Sequence, residues 1–208
     1  MSVGNRTVRL ALLDYGAGNL HSLVKGLERS GPHVRVDVRT DAAALLDADG
    51  LVLPGVGAFG AAAERLAGAR ARIQAALEEG YPALGVCLGM QLLFETSEES
   101  PGEGLGVLPG HVRRLVTRRV PHMGWNTVCP LRPDPLLPGE PLVAYFANSF
   151  VAEPERQEDV VATTQYAGVE MPSVVRRANV WGVQFHPEKS GDAGLALLDA
   201  FVREVAAR

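Results

Sequence analysis

Cys87 lies in the pentapeptide Gly-Val-Cys-Leu-Gly, directly after an apolar run typical of a buried strand. The spacing Gly-x-Cys-x-Gly is the cysteine form of the nucleophile elbow, a sharp strand-to-helix turn that exposes a nucleophile above a sheet. Gly85 and Gly89 suit such a turn because they carry no Cβ atoms that would collide where the chain doubles back. A helix predicted over residues 88–95 would aim its N-terminal amides at the sulfur and favour the reactive thiolate. The alternative is a small buried thiol, since free cysteine is among the most buried residue types.

His186 offers the base that a cysteine nucleophile requires. It follows the apolar strand "NVWGVQF", and Pro187 then ends the strand pairing because proline has no amide hydrogen. In extended chain, residues i and i+2 point to the same side, so we expect His186 and Glu188 to share a face. A carboxylate bonded to one imidazole nitrogen fixes the tautomer and leaves the other nitrogen facing the thiol, as in a Cys-His-Glu triad. A strand-end histidine that meets only solvent is the alternative interpretation.

A glycine-rich segment, "LPGVGAFG" at residues 53–60, follows a short apolar strand. Acyl transfer needs donors for a developing oxyanion, and backbone amides in a glycine-rich turn can supply them without obstruction by side chains. We expect the Leu88 amide to be one donor and the Gly55–Val56 peptide to supply another, with positive φ at Gly55. An ordinary glycine turn is the alternative.

The elements that must position these segments alternate along the first half of the chain. Apolar runs predict strands, helix-like segments lie between them, and this order predicts a mostly parallel sheet with helices on both faces. After Ser100, strands punctuated by Gly and Pro predict a mixed or antiparallel extension, and a terminal helix carries an apolar face. We therefore expect one α/β domain over residues 1–208, with the site where the strand ends meet at one edge. The expected strands are Val8–Asp14, "HVRVDVR", Gly50–Pro54, "PALGV", "HVRRLV", "LVAYF", "VVATTQY" and "NVWGVQF". The expected helices begin near Asn19, run from Ala61 to Glu79, and place Leu195, Leu198, Val202 and Val205 on one face.

The composition narrows the class of protein. The 208 residues are 47% hydrophobic and 21% charged, with a formal charge of −4, which is ordinary for a soluble protein and gives no sign of nucleic-acid binding. No apolar run approaches the roughly 20 residues of a membrane helix, and the first residues lack the pattern of a signal peptide. We expect a cytoplasmic protein without membrane contact, in which Cys87 and Cys129 are free thiols.

The segment "YGAGNLHS" faintly resembles a dinucleotide-binding fingerprint after the first strand. His21 occupies the position of its third glycine, which argues against that interpretation. We expect no cofactor and no metal.

Three of these segments resemble those of a known family, the class I (triad) glutamine amidotransferases. "GVCLGMQLLFE" is similar to its nucleophile elbow, "GVQFHPEKS" to its His/Glu segment and "LPGVGAF" to its oxyanion strand. Within the family, "DYGAGNLHS", "LPGVGAFG", "VPHMGWN" and "QFHPEKSG" together are similar to the glutaminase subunits of imidazole glycerol phosphate synthase, in histidine biosynthesis. The resemblance covers nearly the whole chain and implies a flavodoxin-like three-layer fold.

The resemblance implies that Cys87 hydrolyses glutamine through a thioester, with His186 and Glu188 completing the triad. The ammonia would pass into a cyclase subunit, a (β/α)₈ barrel that forms a heterodimer with this chain. A barrel typically needs about 250 residues, so the cyclase must be another polypeptide. Two sets of residues are implied further: Gly55, Gly57, Gln91, Glu99, Ser149 and Phe150 for the amino-acid part of glutamine, and Asn19, Trp125, Tyr145 and Lys189 for the side that faces the barrel and the ammonia entrance.

Simpler interpretations exist for several of these residues. Gln91 and Glu99 also fit a polar helix face, while Trp125, Tyr145 and Lys189 also fit a partly buried aromatic, a strand tyrosine and a solvated lysine. The chain departs from the family in "YFANSF", where Asn148 and Phe150 replace the common histidine and tyrosine. The intact triad implies that catalysis survives, whereas the contacts around glutamine and the partner would differ.

The resemblance also implies regulation by the barrel. If the Gly55–Val56 peptide points away from the oxyanion in the free subunit, the missing donor costs about 10² to 10³ in rate. Gly55→Ala, with a Cβ at positive φ, is then expected to lower the stimulated rate far more than the basal one. Two other functions remain as alternatives: the glutaminase subunit of a different pathway, and a regulatory subunit that keeps the fold without the chemistry.

Overall fold

The computed structural model describes residues 6–16 and 20–208. This part of the chain contains twelve β-strands and five α-helices. The strands are β1 Val8–Leu13, β2 Val34–Arg39, β3 Gly50–Leu53, β4 Ala83–Val86, β5 Thr96–Ser97, β6 Gly110–Arg114, β7 His122–Pro130, β8 Leu142–Asn148, β9 Phe150–Pro154, β10 Val160–Tyr166, β11 Val169–Arg177 and β12 Val180–Val183. The helices are α1 His21–Glu28, α2 Phe59–Ala67, α3 Arg70–Glu78, α4 Leu88–Gln91 and α5 Gly191–Ala206.

Nine of the strands form one mixed sheet in the order β2-β1-β3-β4-β12-β11-β10-β7-β8. The pairings from β2 to β12 are parallel, and those from β12 through β11, β10 and β7 to β8 are antiparallel. A smaller sheet has the order β5-β6-β9. The predicted parallel part of the sheet and its antiparallel extension are therefore confirmed, and each contributes four strand pairings.

Helices cover both faces of the parallel half, as predicted. Alternate residues of β1 point to opposite sides, so Leu10 and Leu12 pack in one apolar core with α1 and α5. Ala11 and Leu13 pack in the other core, with α2 and α3. The predicted face of α5 is confirmed for Leu198, Val202 and Val205, which are buried, whereas Leu195 is half-buried. No helix in residues 6–16 or 20–208 is long and apolar enough to cross a membrane.

Two predicted helices are wrong in length. The segment Ala61–Glu79 is not continuous, because α2 ends at Ala67 and α3 begins at Arg70 after Gly68, a weak helix former. The helix predicted over residues 88–95 stops after one turn. Leu92, Leu93 and Phe94 are all completely buried, which a single helix face cannot achieve, and their backbone carbonyls accept bonds from residues 105, 108 and 106 respectively. The predicted start near Asn19 lies outside the described residues.

Asp134 fastens the loop between β7 and β8 to the sheet. Its buried carboxylate pairs with Arg176 at 3.1 Å and accepts a bond from the Trp181 indole at 3.4 Å. The other oxygen accepts from the Leu136 amide at 2.9 Å. The loop thus depends on one charge that contacts three partners.

We expect Asp134→Ala to lower the free energy of unfolding by about 2 kcal/mol, since hydrogen bonds to a charged group are lost and buried donors are left unpaired. Urea unfolding followed by circular dichroism measures this loss. Asp199→Ala is the matched control, because Asp199 only pairs with Arg203 on the surface of α5 and should stay within about 0.5 kcal/mol of the parent. Equal stability of both variants would contradict the anchoring role.

Candidate active site

Three neighbouring parallel strands end at one edge of the sheet and bring the predicted segments together. In the register, Leu53 of β3 lies beside Gly85 of β4, and Val86 of β4 lies beside Val183 of β12. The residues that follow these strands are Gly55, Cys87 and His186, as the sequence predicts. The amide of Cys87 donates to the Val183 carbonyl at 2.7 Å, which extends the ladder to the turn itself.

Cys87 adopts a backbone conformation that is rare for a residue with a side chain, with φ 48° and ψ −103°. Such strain costs about 1–3 kcal/mol and is concentrated at functional sites. The flanking glycines make the turn possible: a Cβ on Gly85 would lie 2.4 Å from the Gly89 carbonyl oxygen, and one on Gly89 would lie 1.9 Å from that of Leu53. The predicted strand-turn-helix elbow is confirmed, although α4 is too short for a large dipole.

His186 and Glu188 contact each other as predicted, with 2.8 Å between Nδ1 and Oε1. The local geometry differs from the extended chain that was expected, since Pro187–Lys189 form a 3₁₀ turn. Because a carboxylate only accepts, Nδ1 carries a hydrogen and Nε2 is left to face the sulfur. Burial lowers the pKa of His186, but the hydrogen bonds to Cys87 and Glu188 and the charges of both raise it to about 9. The arrangement therefore favours a protonated imidazole beside the Cys87 sulfur at neutral pH.

We expect Cys87→Ala to lower the pKa of His186, because the variant loses the sulfur that stabilises the imidazolium while burial still disfavours it. With a pKa of about 9, His186 of the parent is expected to stay mostly charged at pH 8 and to lose its proton as the pH rises through 9. A titration followed by NMR of labelled histidine measures both curves. An unchanged curve in the variant would show that the sulfur does not interact with this ring.

Gly55 packs directly against the elbow. A Cβ on Gly55 would lie 2.8 Å from the Cys87 Cβ, 2.9 Å from the Val86 carbonyl oxygen and 3.0 Å from the His186 Cε1. Positive φ occurs instead at Gly57, at 100°, so the expected positive φ at Gly55 is wrong here. Position 55 therefore requires glycine because there is no room for a Cβ atom. Val56, the next residue, is half-buried.

Gln184 connects Cys87 to two of the predicted glutamine-binding residues, and the sequence reasoning missed it. This buried side chain places Nε2 3.6 Å from the Cys87 sulfur. Its Oε1 accepts from the Gln91 Nε2 at 3.3 Å, and the same nitrogen donates to the Phe150 carbonyl at 3.2 Å. The signal was a polar residue at the end of an apolar strand, two residues before His186 and thus on its side of the chain.

Asn148 adds to this group, whereas Ser149 and Glu99 of the predicted set make other contacts. The Asn148 side chain donates to the Phe150 carbonyl at 3.1 Å, so the departure from the family pattern supports the same backbone atom. The backbone carbonyl of Ser149 accepts from Leu115 at 2.9 Å. Glu99 accepts from the Phe59 amide at 2.6 Å, at the start of α2, and no contact joins its described atoms to Cys87.

The outer surface of β7 and β8 carries exposed apolar side chains. Met123 is 64% exposed, Trp125 59% and Val143 51%, and we call these residues together with Tyr145 the β7–β8 face. Trp125 lies opposite Tyr145 in the register, with ring centroids 5.9 Å apart. Trp125 is thus exposed rather than partly buried. The sequence reasoning missed Met123 and Val143, and Asn19 lies outside the described residues.

The β7–β8 face is bonded to the His186 turn through backbone atoms. The Tyr145 carbonyl accepts from the His186 amide at 2.8 Å. The Tyr145 amide donates to the Ser190 hydroxyl at 2.9 Å, and that hydroxyl donates to the His186 carbonyl at 2.6 Å. Lys189 lies exposed in the same turn. Within residues 6–16 and 20–208, no group of three or more His, Cys, Asp or Glu side chains converges as metal ligands would.

Comparisons with known proteins give one consistent result. The family model described as class-I glutamine amidotransferase matches residues 11–205. The chain is 50% identical to the imidazole glycerol phosphate synthase subunit HisH of Salinibacter ruber, over 91% of this chain and 92% of that protein. It is 47% identical to the same subunit of a Synechococcus strain, over 98% and 97% of the two chains.

Solved structures match the fold at lower identity. The structure of PurLQS from Thermotoga maritima aligns with a TM-score of 0.74 and 21% identity, covering 95% of this chain and 99% of that one. A second structure, described as a glutamine amidotransferase, aligns with a TM-score of 0.73 and 20% identity, covering 96% and 100%. At these identities the likeness concerns the fold alone.

Proposed function

This chain belongs to the class-I glutamine amidotransferase family, and from that premise we propose that it is the glutaminase subunit of an imidazole glycerol phosphate synthase. It hydrolyses glutamine to glutamate and ammonia for histidine biosynthesis. The observation that carries the chemistry is Cys87, held at positive φ beside a buried His186–Glu188 pair. We assign the 208 residues to one amidotransferase domain and its location to the cytoplasm.

The proposed reaction follows from the charges of the site. The Cys87 thiolate attacks the side-chain carbonyl carbon of glutamine, and the amides of Leu88 and Val56 stabilise the resulting oxyanion. His186 gives its Nε2 proton to the departing nitrogen, so the C–N bond breaks and ammonia leaves a thioester behind. The neutral imidazole then takes a proton from water, which attacks the thioester and expels glutamate and the thiolate. Glu188 keeps the imidazole in the required tautomer throughout.

We propose that the amino-acid part of glutamine is held by Gly55, Gly57, Gln91, Ser149 and Phe150. The contacts of Gln91 with Phe150 and with Gln184 support this assignment, because Gln184 in turn contacts the Cys87 sulfur. We propose Glu99 for the same set; its carboxylate accepts from the Phe59 amide at the start of α2, two residues after Gly57.

We propose that the β7–β8 face, with Lys189 and Asn19, docks the cyclase subunit, a (β/α)₈ barrel. Large exposed apolar side chains on a monomer mark interaction surfaces, and three lie here within one strand pair. The position also supports ammonia transfer, because the Tyr145 backbone is bonded directly to His186. The barrel, not this chain, would form imidazole glycerol phosphate and aminoimidazole carboxamide ribonucleotide.

The test is to purify the chain with the cyclase subunit of the same organism and to measure complex formation, glutamate release and glutamine-dependent formation of imidazole glycerol phosphate. We expect a heterodimer that forms this product from glutamine. Glutamate release without a productive complex would indicate that the chain is a glutaminase of another pathway. A complex that uses only free ammonia would indicate that the chain is a regulatory subunit.

A further inference from the structure

Gln184 is a buried carboxamide at the point where β12 ends, and its backbone amide donates to the Ser173 carbonyl at 2.9 Å. The rest of β12 is apolar and equally buried. Burial of a carboxamide is unfavourable unless its polar atoms are bonded, so the partners of this side chain give the reason for its presence. One of those partners is the Cys87 sulfur, at 3.6 Å from Nε2.

The orientation of the Gln184 carboxamide is set by a chain of contacts that begins at a backbone carbonyl. The Phe150 oxygen can only accept, so the Gln91 group that faces it must be the NH₂. That same NH₂ faces Gln184, which must therefore present its oxygen to Gln91. The opposite assignment would place two donors against each other. Nε2 of Gln184 consequently points at the sulfur, and the side chain donates to it.

We propose that Gln184 is a further catalytic residue, whose side-chain N–H donates to the Cys87 sulfur and stabilises it as a thiolate. This inference rests on the proposed glutaminase function. In the proposed reaction the sulfur attacks as a thiolate, loses its charge in the thioester, and regains it when glutamate leaves. A hydrogen bond to a charged acceptor is about twice as strong as one to a neutral acceptor, so the donor acts on the resting thiolate and on its departure.

The donor also complements the cation at the site. Of the groups that contact Cys87, His186 is titratable and is backed by Glu188, whereas Gly55 and Gln184 are uncharged. His186 must surrender its proton to the leaving nitrogen during each turnover. Gln184 keeps its N–H throughout, so the sulfur retains one donor when the imidazole is neutral. The thioester is then cleaved beside a group that still stabilises the leaving thiolate.

The test is the pH dependence of Cys87 alkylation by iodoacetamide, quantified by mass spectrometry on the Cys87 peptide so that exposed Cys129 does not contribute. Gln184→Met keeps length and apolar packing but removes the donor. We expect its alkylation rate at pH 6 to fall about tenfold and the midpoint to move to higher pH, since the thiolate loses a charge-assisted bond. Glutamine-dependent kcat with the cyclase should fall by a similar factor.

Ser173→Ala is the matched control, because this buried neighbour holds Gln184 only through its backbone carbonyl and its hydroxyl has no hydrogen-bond partner within the described part of the chain. Its alkylation profile should equal that of the parent. Gln91→Met is a second variant, which frees the carboxamide to rotate and should shift the profile in the same direction by less.

An unchanged profile in folded Gln184→Met would overturn the proposal. If that variant does not fold, an unchanged profile in Gln91→Met would overturn it instead. Alkylation needs no glutamine, so these results stand apart from the assay with the cyclase: a parent that hydrolyses no glutamine refutes the proposed function, whereas a profile that does not move refutes only the role of Gln184.

Discussion

Cys87→Ala is expected to abolish glutamine-dependent synthesis by the complex, with a loss of at least about 10⁴-fold, while ammonia-dependent synthesis continues at the parental rate. The thiol is the nucleophile in the proposed reaction, and none of the other side chains that contact it can form the thioester. The barrel would perform its own chemistry with ammonia from solution, so that activity does not need the sulfur. Both rates are measured on the purified complex, with glutamine or with an ammonium salt.

The labelling pattern gives an independent measure of the same assignment. A glutamine-like electrophile, such as a diazo-ketone analogue, should label Cys87 and spare Cys129, because only the buried thiol lies beside an imidazolium. Cys129→Ser is the control and should keep full activity. Label found mainly on Cys129 would refute the assignment, and loss of both activities in Cys87→Ala would indicate a folding defect.

Gly55→Ala is expected to lower the glutaminase rate by about 10² to 10³, both for the free subunit and for the complex. The added methyl would collide with the Cys87 Cβ and the His186 ring, and displacement of reacting groups by about 1 Å is enough for a 10²-fold loss. This replaces the expectation from the sequence, in which the stimulated rate would fall far more than the basal rate. The measurement is glutamate release with and without the cyclase.

Gly68→Ala is the matched control, because a Cβ there meets no atom within 4 Å and the backbone φ is −67°. It should leave both rates unchanged. A Gly55→Ala enzyme that loses only its stimulated rate would contradict the steric explanation and favour the peptide flip.

Local chemistry made much of the site predictable. Glycine is required on both sides of Cys87 because a Cβ there would approach backbone atoms to less than 3 Å. The spacing Gly-x-Cys-x-Gly shows this requirement directly in the sequence. The His186–Glu188 contact was predicted from an extended chain, and in the structure it forms between an extended His186 and the 3₁₀ turn that begins at Pro187. Parallel strand ends then placed both segments at one edge.

The missed features depend on residues that are distant in the chain. Gln184 owes its orientation to Phe150 and Gln91, which no local pattern connects with it. Strand β7 was not predicted from the sequence, because its apolar side chains Met123 and Trp125 point outward. The usual alternation of buried apolar and exposed polar residues is therefore reversed there. The break between α2 and α3 was not predicted because the apolar pattern of the sequence continues across it.

The bonds between residue 145 and the His186 turn involve only backbone atoms of residue 145. Any amino acid except proline can make them, so this link is independent of the side chain that the position presents to a partner. The proposed docking surface could therefore change, or be redesigned for a different cyclase, without disturbing the alignment of the imidazole. Tyr145→Phe and Tyr145→Ala would report on the side chain alone, whereas Tyr145→Pro would also remove the amide that donates to the Ser190 hydroxyl.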